Sequence, residues 1–140
     1  MEHFSKTLFQ RWMDEFGRLL CPEGILEVGV PHWSCGSVAW ASLDHVRPFG
    51  CGSLLSYDPR HWESGIYPQL GDGKWRVLEV RLSYRSEHKV SYPNKLVEHA
   101  YDVTNGILNF LANLNTGFCE RIWATWVGGF TDVKTTMERL

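Results

Sequence analysis

Apolar positions recur every third or fourth residue at the start of the chain. Phe4, Leu8, Phe9, Trp12, Met13, Phe16, Leu19 and Leu20 fall on one stripe of a helix, with Lys6, Gln10, Asp14 and Arg18 opposite. The spacing predicts a helix over residues 4–20 whose aromatic stripe, Trp12 and Phe16 included, faces the core. Cys21-Pro22 ends it, because the residue before a proline is driven out of the helical region. A second stripe runs through Leu96, Val97, Ala100, Tyr101, Thr104, Ile107, Leu108, Leu111 and Leu114. It predicts a long helix starting near Ser91-Tyr92-Pro93 and capped after Asn115 by Gly117. Val103 and Phe110 widen the stripe, so this helix is expected to be the more deeply buried, with Leu108 and Leu111 inside. Asn105-Gly106 within it predicts a kink, a close packing point or a break.

Between these helices the period changes to two. Residues 25–30 form a β-branched run ended by Pro31, and residues 37–43 and 53–57 are shorter strand candidates. Gly71-Asp72-Gly73 is a turn signal that launches the best strand, residues 74–85. There Leu78, Val80, Leu82 and Tyr84 alternate with Glu79, Arg81, Ser83 and Arg85, giving one packed and one wet face. Trp75 and Val77 are out of phase with that series, which predicts a bulge near Val77. Residues 118–127 carry apolar groups on both faces and predict a central strand. Gly128-Gly129 ends it, and Thr131 is expected to cap a short C-terminal helix. The expected fold is a single α+β domain over residues 1–140. An N-terminal amphipathic helix and a second long helix pack on one face of an antiparallel or mixed sheet of about four to six strands.

Composition narrows the function. The chain has 140 residues, of which 44% are apolar and 21% charged, enough for a core without disulfides or metal. Fourteen Lys and Arg against sixteen Asp and Glu leave a net charge of −2 and no basic stripe, which argues against nucleic acid as a partner. Arg76, Arg81 and Arg85 are the one local basic group, read here as a solvated strand face. No apolar run reaches membrane length and no signal-peptide pattern opens the sequence, so a cytoplasmic location is expected. In that compartment Cys21, Cys35, Cys51 and Cys119 are expected to be reduced and metal-free.

Reactive residue types concentrate in residues 31–63. His32, Cys35, His45 and Cys51 offer two imidazoles and two thiols, a tetrahedral zinc set in chemistry but without the tight pairs of a finger or ribbon. Cys35, flanked by Gly36, is a candidate nucleophile if His45, His61 or His99 reaches it. Asp58, Arg60, His61 and Glu63 could clamp an anion and move a proton. The plainer readings are a buried structural cysteine, a turn at Asp58-Pro59 and solvated loop charges. The catalytic residues stay unassigned, with Cys35, His61 and Glu63 the candidates. No phosphate loop, dinucleotide fingerprint, zincin motif or paired-cysteine motif occurs, so no cofactor is expected.

Seven tryptophans in so short a chain suggest that some serve a surface. Trp33, Trp40, Asp58, Arg60, Trp62 and Glu63 are the expected binding residues. The functional expectation is a small domain acting by stoichiometric binding to another protein, as an inhibitor, immunity protein or adaptor. The alternative is a small hydrolase or transferase using Cys35 or the 58–63 loop. The oligomeric state stays open.

Overall fold

Ser5 starts the first helix, its hydroxyl accepting the Leu8 N–H. In the computed structural model, which describes residues 1–40, 43–61, 65, 73–84 and 94–140, this helix, α1, spans Lys6–Leu19. Its buried line is Phe9, Met13 and Gly17, one turn apart each. The expected stripe is therefore too wide. Phe16 is only partly buried, and Trp12, 40% exposed, lies on the rim, stacked on Phe4 and tilted against Phe16.

Three strands follow: β1 (Ile25–Pro31), β2 (Trp75–Ser83) and β3 (Asp132–Arg139). The sheet is antiparallel, in the order β1-β3-β2. Val133, Thr135 and Met137 of β3 face the core with Val28 and Val30 of β1. On the other face Lys134 pairs with Glu27 and Arg76 with Glu138, which leaves that side to water. The register of β2 slips between Val77 and Glu79, so Trp75 and Val77 point inward before the bulge and Leu82 after it. The phase break in the sequence predicts this bulge.

Several expectations fall to the structure. Among the described residues the sheet has three strands, not four to six. Residues 37–43 and 53–57 supply no strand among the described residues; a short helix α2 (Gly36–Ala39) and a 3-10 turn (Leu55–Tyr57) stand there. The segment expected to end as a helix is β3, the central strand. The segment expected as a central strand is helical: α4 (Thr116–Cys119) runs into a π-helical turn (Glu120–Ala124). Phe118, Ile122, Trp123 and Trp126 sit at helical spacing, and that period decides the outcome.

The second long helix, α3, spans Lys95–Leu114 with Asn94 as its N-cap. Ser91-Tyr92-Pro93 lies outside the described residues. Gly106 does not break it, and Asn115 rather than Gly117 terminates it, capping α4 through the Phe118 N–H. Its packed stripe is polar. Asn113 accepts the Leu82 N–H (2.9 Å) and donates to the Leu82 carbonyl (2.8 Å), while Asn109 accepts the Tyr84 N–H (2.7 Å). These amides stand in for a fourth strand along the edge of β2, where unpaired backbone groups would otherwise invite another chain. The consequence is that Leu111, expected inside, is exposed, and Leu108 is only partly covered. No helix among the described residues is long and apolar enough to cross a membrane.

Candidate functional site

The helical segment that follows α3 has two faces with different chemistry. Its inward face carries Glu120, the first residue of the π-helical turn. Such turns re-aim side chains and recur at functional sites. Glu120 Oε1 accepts three hydrogen bonds, from Trp33 Nε1 (2.9 Å), the Cys51 backbone N–H (2.9 Å) and His32 Nε2 (3.2 Å). His32 is fully buried at the end of β1. Its Nδ1 receives the Ser34 backbone N–H (3.3 Å) and lies 2.8 Å from Ser34 Oγ. A backbone N–H can only donate, so Nδ1 is the acceptor and the ring proton, assigned from this pattern, sits on Nε2 facing Glu120. Ser34 Oγ in turn accepts the Phe130 N–H (3.3 Å).

Burial raises the Glu120 carboxyl, but the donors His32, Trp33 and Cys51 N–H outweigh it and hold the pKa below its ordinary value. Burial, followed by the Glu120 charge, pushes both the Cys51 and Cys119 thiols up, which keeps them protonated. Serine, histidine and a carboxylate in line are the parts of a nucleophile relay. Here, however, the nearby donors are committed, Phe130 N–H to Ser34 Oγ and Gly129 N–H to the Ser34 carbonyl (3.3 Å). The line ends against the Phe130 ring, edge-on to His32. Its chemistry is that of a clamp, fastening β1, the loop at Cys51 and the Gly128-Gly129 turn to one carboxylate.

Gly50 makes room for the clamp. A Cβ there would overlap the Glu120 carboxylate and crowd the Trp33 ring. Gly50→Ala is therefore expected to displace the carboxylate from its three donors and lower stability by about 2 kcal/mol, read from urea unfolding. A wild-type midpoint would contradict the clamp.

The sequence candidates disperse around this centre. His32 and Cys51 of the zinc set meet there, joined by Glu120. Cys35 is buried at the N-cap of α2, and His45 lies elsewhere, against Glu2 and His3. All four cysteines are free thiols. Asp58 is buried, gripped by Arg60 through Nε (3.0 Å) and Nη2 (2.6 Å), and accepts the Val77 N–H (2.7 Å). Arg60 Nη2 also donates to the Val77 carbonyl (3.1 Å). The pair thus satisfies backbone groups at the bulge, with His61 Nε2 3.9 Å from the Asp58 carboxylate. Trp62 and Glu63 lie outside the described residues. Arg76 and Arg81 pair with Glu138 and Glu79, and Arg85 also lies outside. Trp33 is engaged by Glu120. Trp40 is 57% exposed and donates to the Trp33 carbonyl.

Sequence reasoning missed Glu120 and Ser34. Glu120 stands beside Arg121 in the sequence and reads there as an ordinary surface pair, so no local signal marks it.

The outward face of the same segment is apolar. With α3 it encloses a groove of about 360 Å³, lined by Leu108, Leu111, Leu114, Phe118, Ile122 and Trp123. Phe118 is 65% exposed and Trp126, just beyond the groove in sequence, 82%. No protein-family model matches the chain, nor does any curated protein or solved structure.

Proposed function

We propose that this domain acts by stoichiometric binding to another protein, as an inhibitor or adaptor, and that the groove between α3 and the 116–126 helical segment receives an amphipathic helix of that partner. The groove carries the reading. Exposed apolar surface on this scale, with aromatic anchors, is what interaction sites present. A cleft between two helices matches the apolar stripe of a third, which reaches in at every third or fourth residue. The clamp at Glu120 holds one wall rigid, which reduces the ordering cost of association. This moves the expected binding surface away from the 31–63 loops, where Trp33, Asp58 and Arg60 are spent on internal contacts.

A photo-activatable residue in place of Phe118, introduced in the producing cell, tests this. One discrete heterologous product is expected, and Leu114→Glu should abolish it. With that partner purified, Trp123→Ala should weaken binding by on the order of 2 kcal/mol. Products containing only a second copy of this chain, or products indifferent to Leu114→Glu, would refute the proposal.

A further inference from the structure

The described residues contain two clusters of metal-competent side chains, and the proton positions separate them. At His32, Cys51 and Glu120 the imidazole proton already fills the gap between His32 Nε2 and the carboxylate, so the cluster is closed by hydrogen bonds. At Glu2, His3 and His45 the arrangement is inverted. His3 Nδ1 lies 3.1 Å from the Asp44 carbonyl and His45 Nδ1 2.8 Å from the Ala39 carbonyl. A carbonyl only accepts, so both rings carry their proton on Nδ1, and a neutral ring then presents a lone pair at Nε2. Both Nε2 atoms converge on one oxygen, Glu2 Oε1, at 3.4 and 4.0 Å.

The Met1 ammonium holds the other oxygen, Glu2 Oε2 (2.9 Å), while at Oε1 the two lone pairs repel the carboxylate unless a cation, a proton on Nε2 or a metal ion, lies between them. We infer that Glu2, His3 and His45 form a binding site for a divalent metal ion of the zinc class. The three donor atoms lie within 4.8 Å of one another. Bonds of about 2.1 Å at tetrahedral angles place ligand atoms about 3.4 Å apart, so the histidine–carboxylate separations need to close by well under an ångström and that between the two rings by at most about 1.4 Å. The half-exposed His3 side chain can make them. Imidazole nitrogens with one carboxylate select zinc-like ions over calcium or magnesium, which prefer all-oxygen shells. The Nδ1–H donations to backbone carbonyls are the outer-shell bonds that fix a ligating histidine. The Val46 N–H bonded to the Glu2 carbonyl (2.8 Å) already ties the two segments together, and three protein ligands leave a coordination position for water. The ion would cross-link the first residues to the loop at Asp44–Val46, where no other metal-competent pair is joined among the described residues.

Titration of untagged protein with Co²⁺, followed by displacement with Zn²⁺, tests the site. One equivalent is expected to bind with visible ligand-field bands and no thiolate-to-cobalt charge transfer, and Zn²⁺ should raise the melting temperature. His45→Ala should weaken Zn²⁺ binding by more than the ~10–100-fold typical of losing an outer-shell partner. His45→Gln, which can still donate to Ala39, should do the same and covers the case in which the alanine variant fails to fold. His99→Ala, on exposed α3, should change nothing. Chelation by the first residues alone would survive the loss of His45, and ligation at Cys51 would give the thiolate band. Either result, or no saturable binding, overturns the inference.

Discussion

Trp75→Ala is expected to lower the unfolding free energy by about 3–5 kcal/mol, whereas Trp12→Ala should cost about 1 kcal/mol or less. Trp75 is 2% exposed at the start of β2, its ring laid against Gly17 of α1, so it joins the sheet to the helix across the core. Truncation leaves a cavity that α1 cannot fill, since the residue facing it has no side chain. Trp12 sits on the rim of the same interface, where water replaces whatever is removed. The sequence stripe puts Trp12 in the core and says of Trp75 only that it is out of phase with its strand, so the pair discriminates sharply. Urea unfolding of both variants reads the difference directly, and equal losses would mean that the packing of α1 is misassigned.

The second large effect belongs to Asp58. Asp58→Ala should cost about 3 kcal/mol, because it strands the Val77 N–H inside the bulge and leaves Arg60 without its counter-charge. Burial pushes this carboxyl up, but the Arg60 side chain, the Arg60 N–H and the Val77 N–H prevail and hold it at about 2. A carboxyl with a lowered pKa contributes its full stabilisation above the pKa of the unfolded chain, about 3.9. That contribution is lost as pH falls through the folded-state value. The wild-type protein should therefore lose stability between about pH 4 and pH 2. Glu120, also lowered, adds to the slope. Asp58→Asn should show a flatter dependence over the same window, measured as urea midpoints against pH. A variant with the full wild-type slope would show that the Asp58 carboxylate does not titrate in this way.

Local chemistry was legible in the sequence wherever it was decided locally. The β-branched run of β1, the stop after α1 at Cys21-Pro22 and the phase break of β2 depend on neighbours in the chain, and each can be read from them. The reading failed where one pattern admits two structures. Residues 118–127 are apolar enough for a buried strand, yet their helical spacing prevails. In residues 132–139 the alternation of Val133, Thr135 and Met137 is a strand signal, outweighed in the reading by a capping threonine at Thr131. For α3 the spacing was right and the orientation wrong, because three asparagines at four-residue intervals turned the polar side towards the sheet. The clamp was half visible. His32 and Cys51 stand out as residue types, but Glu120, 88 positions from His32 in the chain, can be added only once the chain is folded.

The order of the strands has a consequence for how the protein is made. The middle strand is β3, and among the described residues β1 and β2 pair with it alone. While a ribosome is still adding residues 132–139, the two earlier strands have no partner, and Val28, Val30, Trp75 and Leu82 have no sheet to bury them. Formation of the sheet consequently waits for residues 132–139 and is governed by contacts between distant parts of the chain. Until β3 is in place, those apolar side chains are open to self-association.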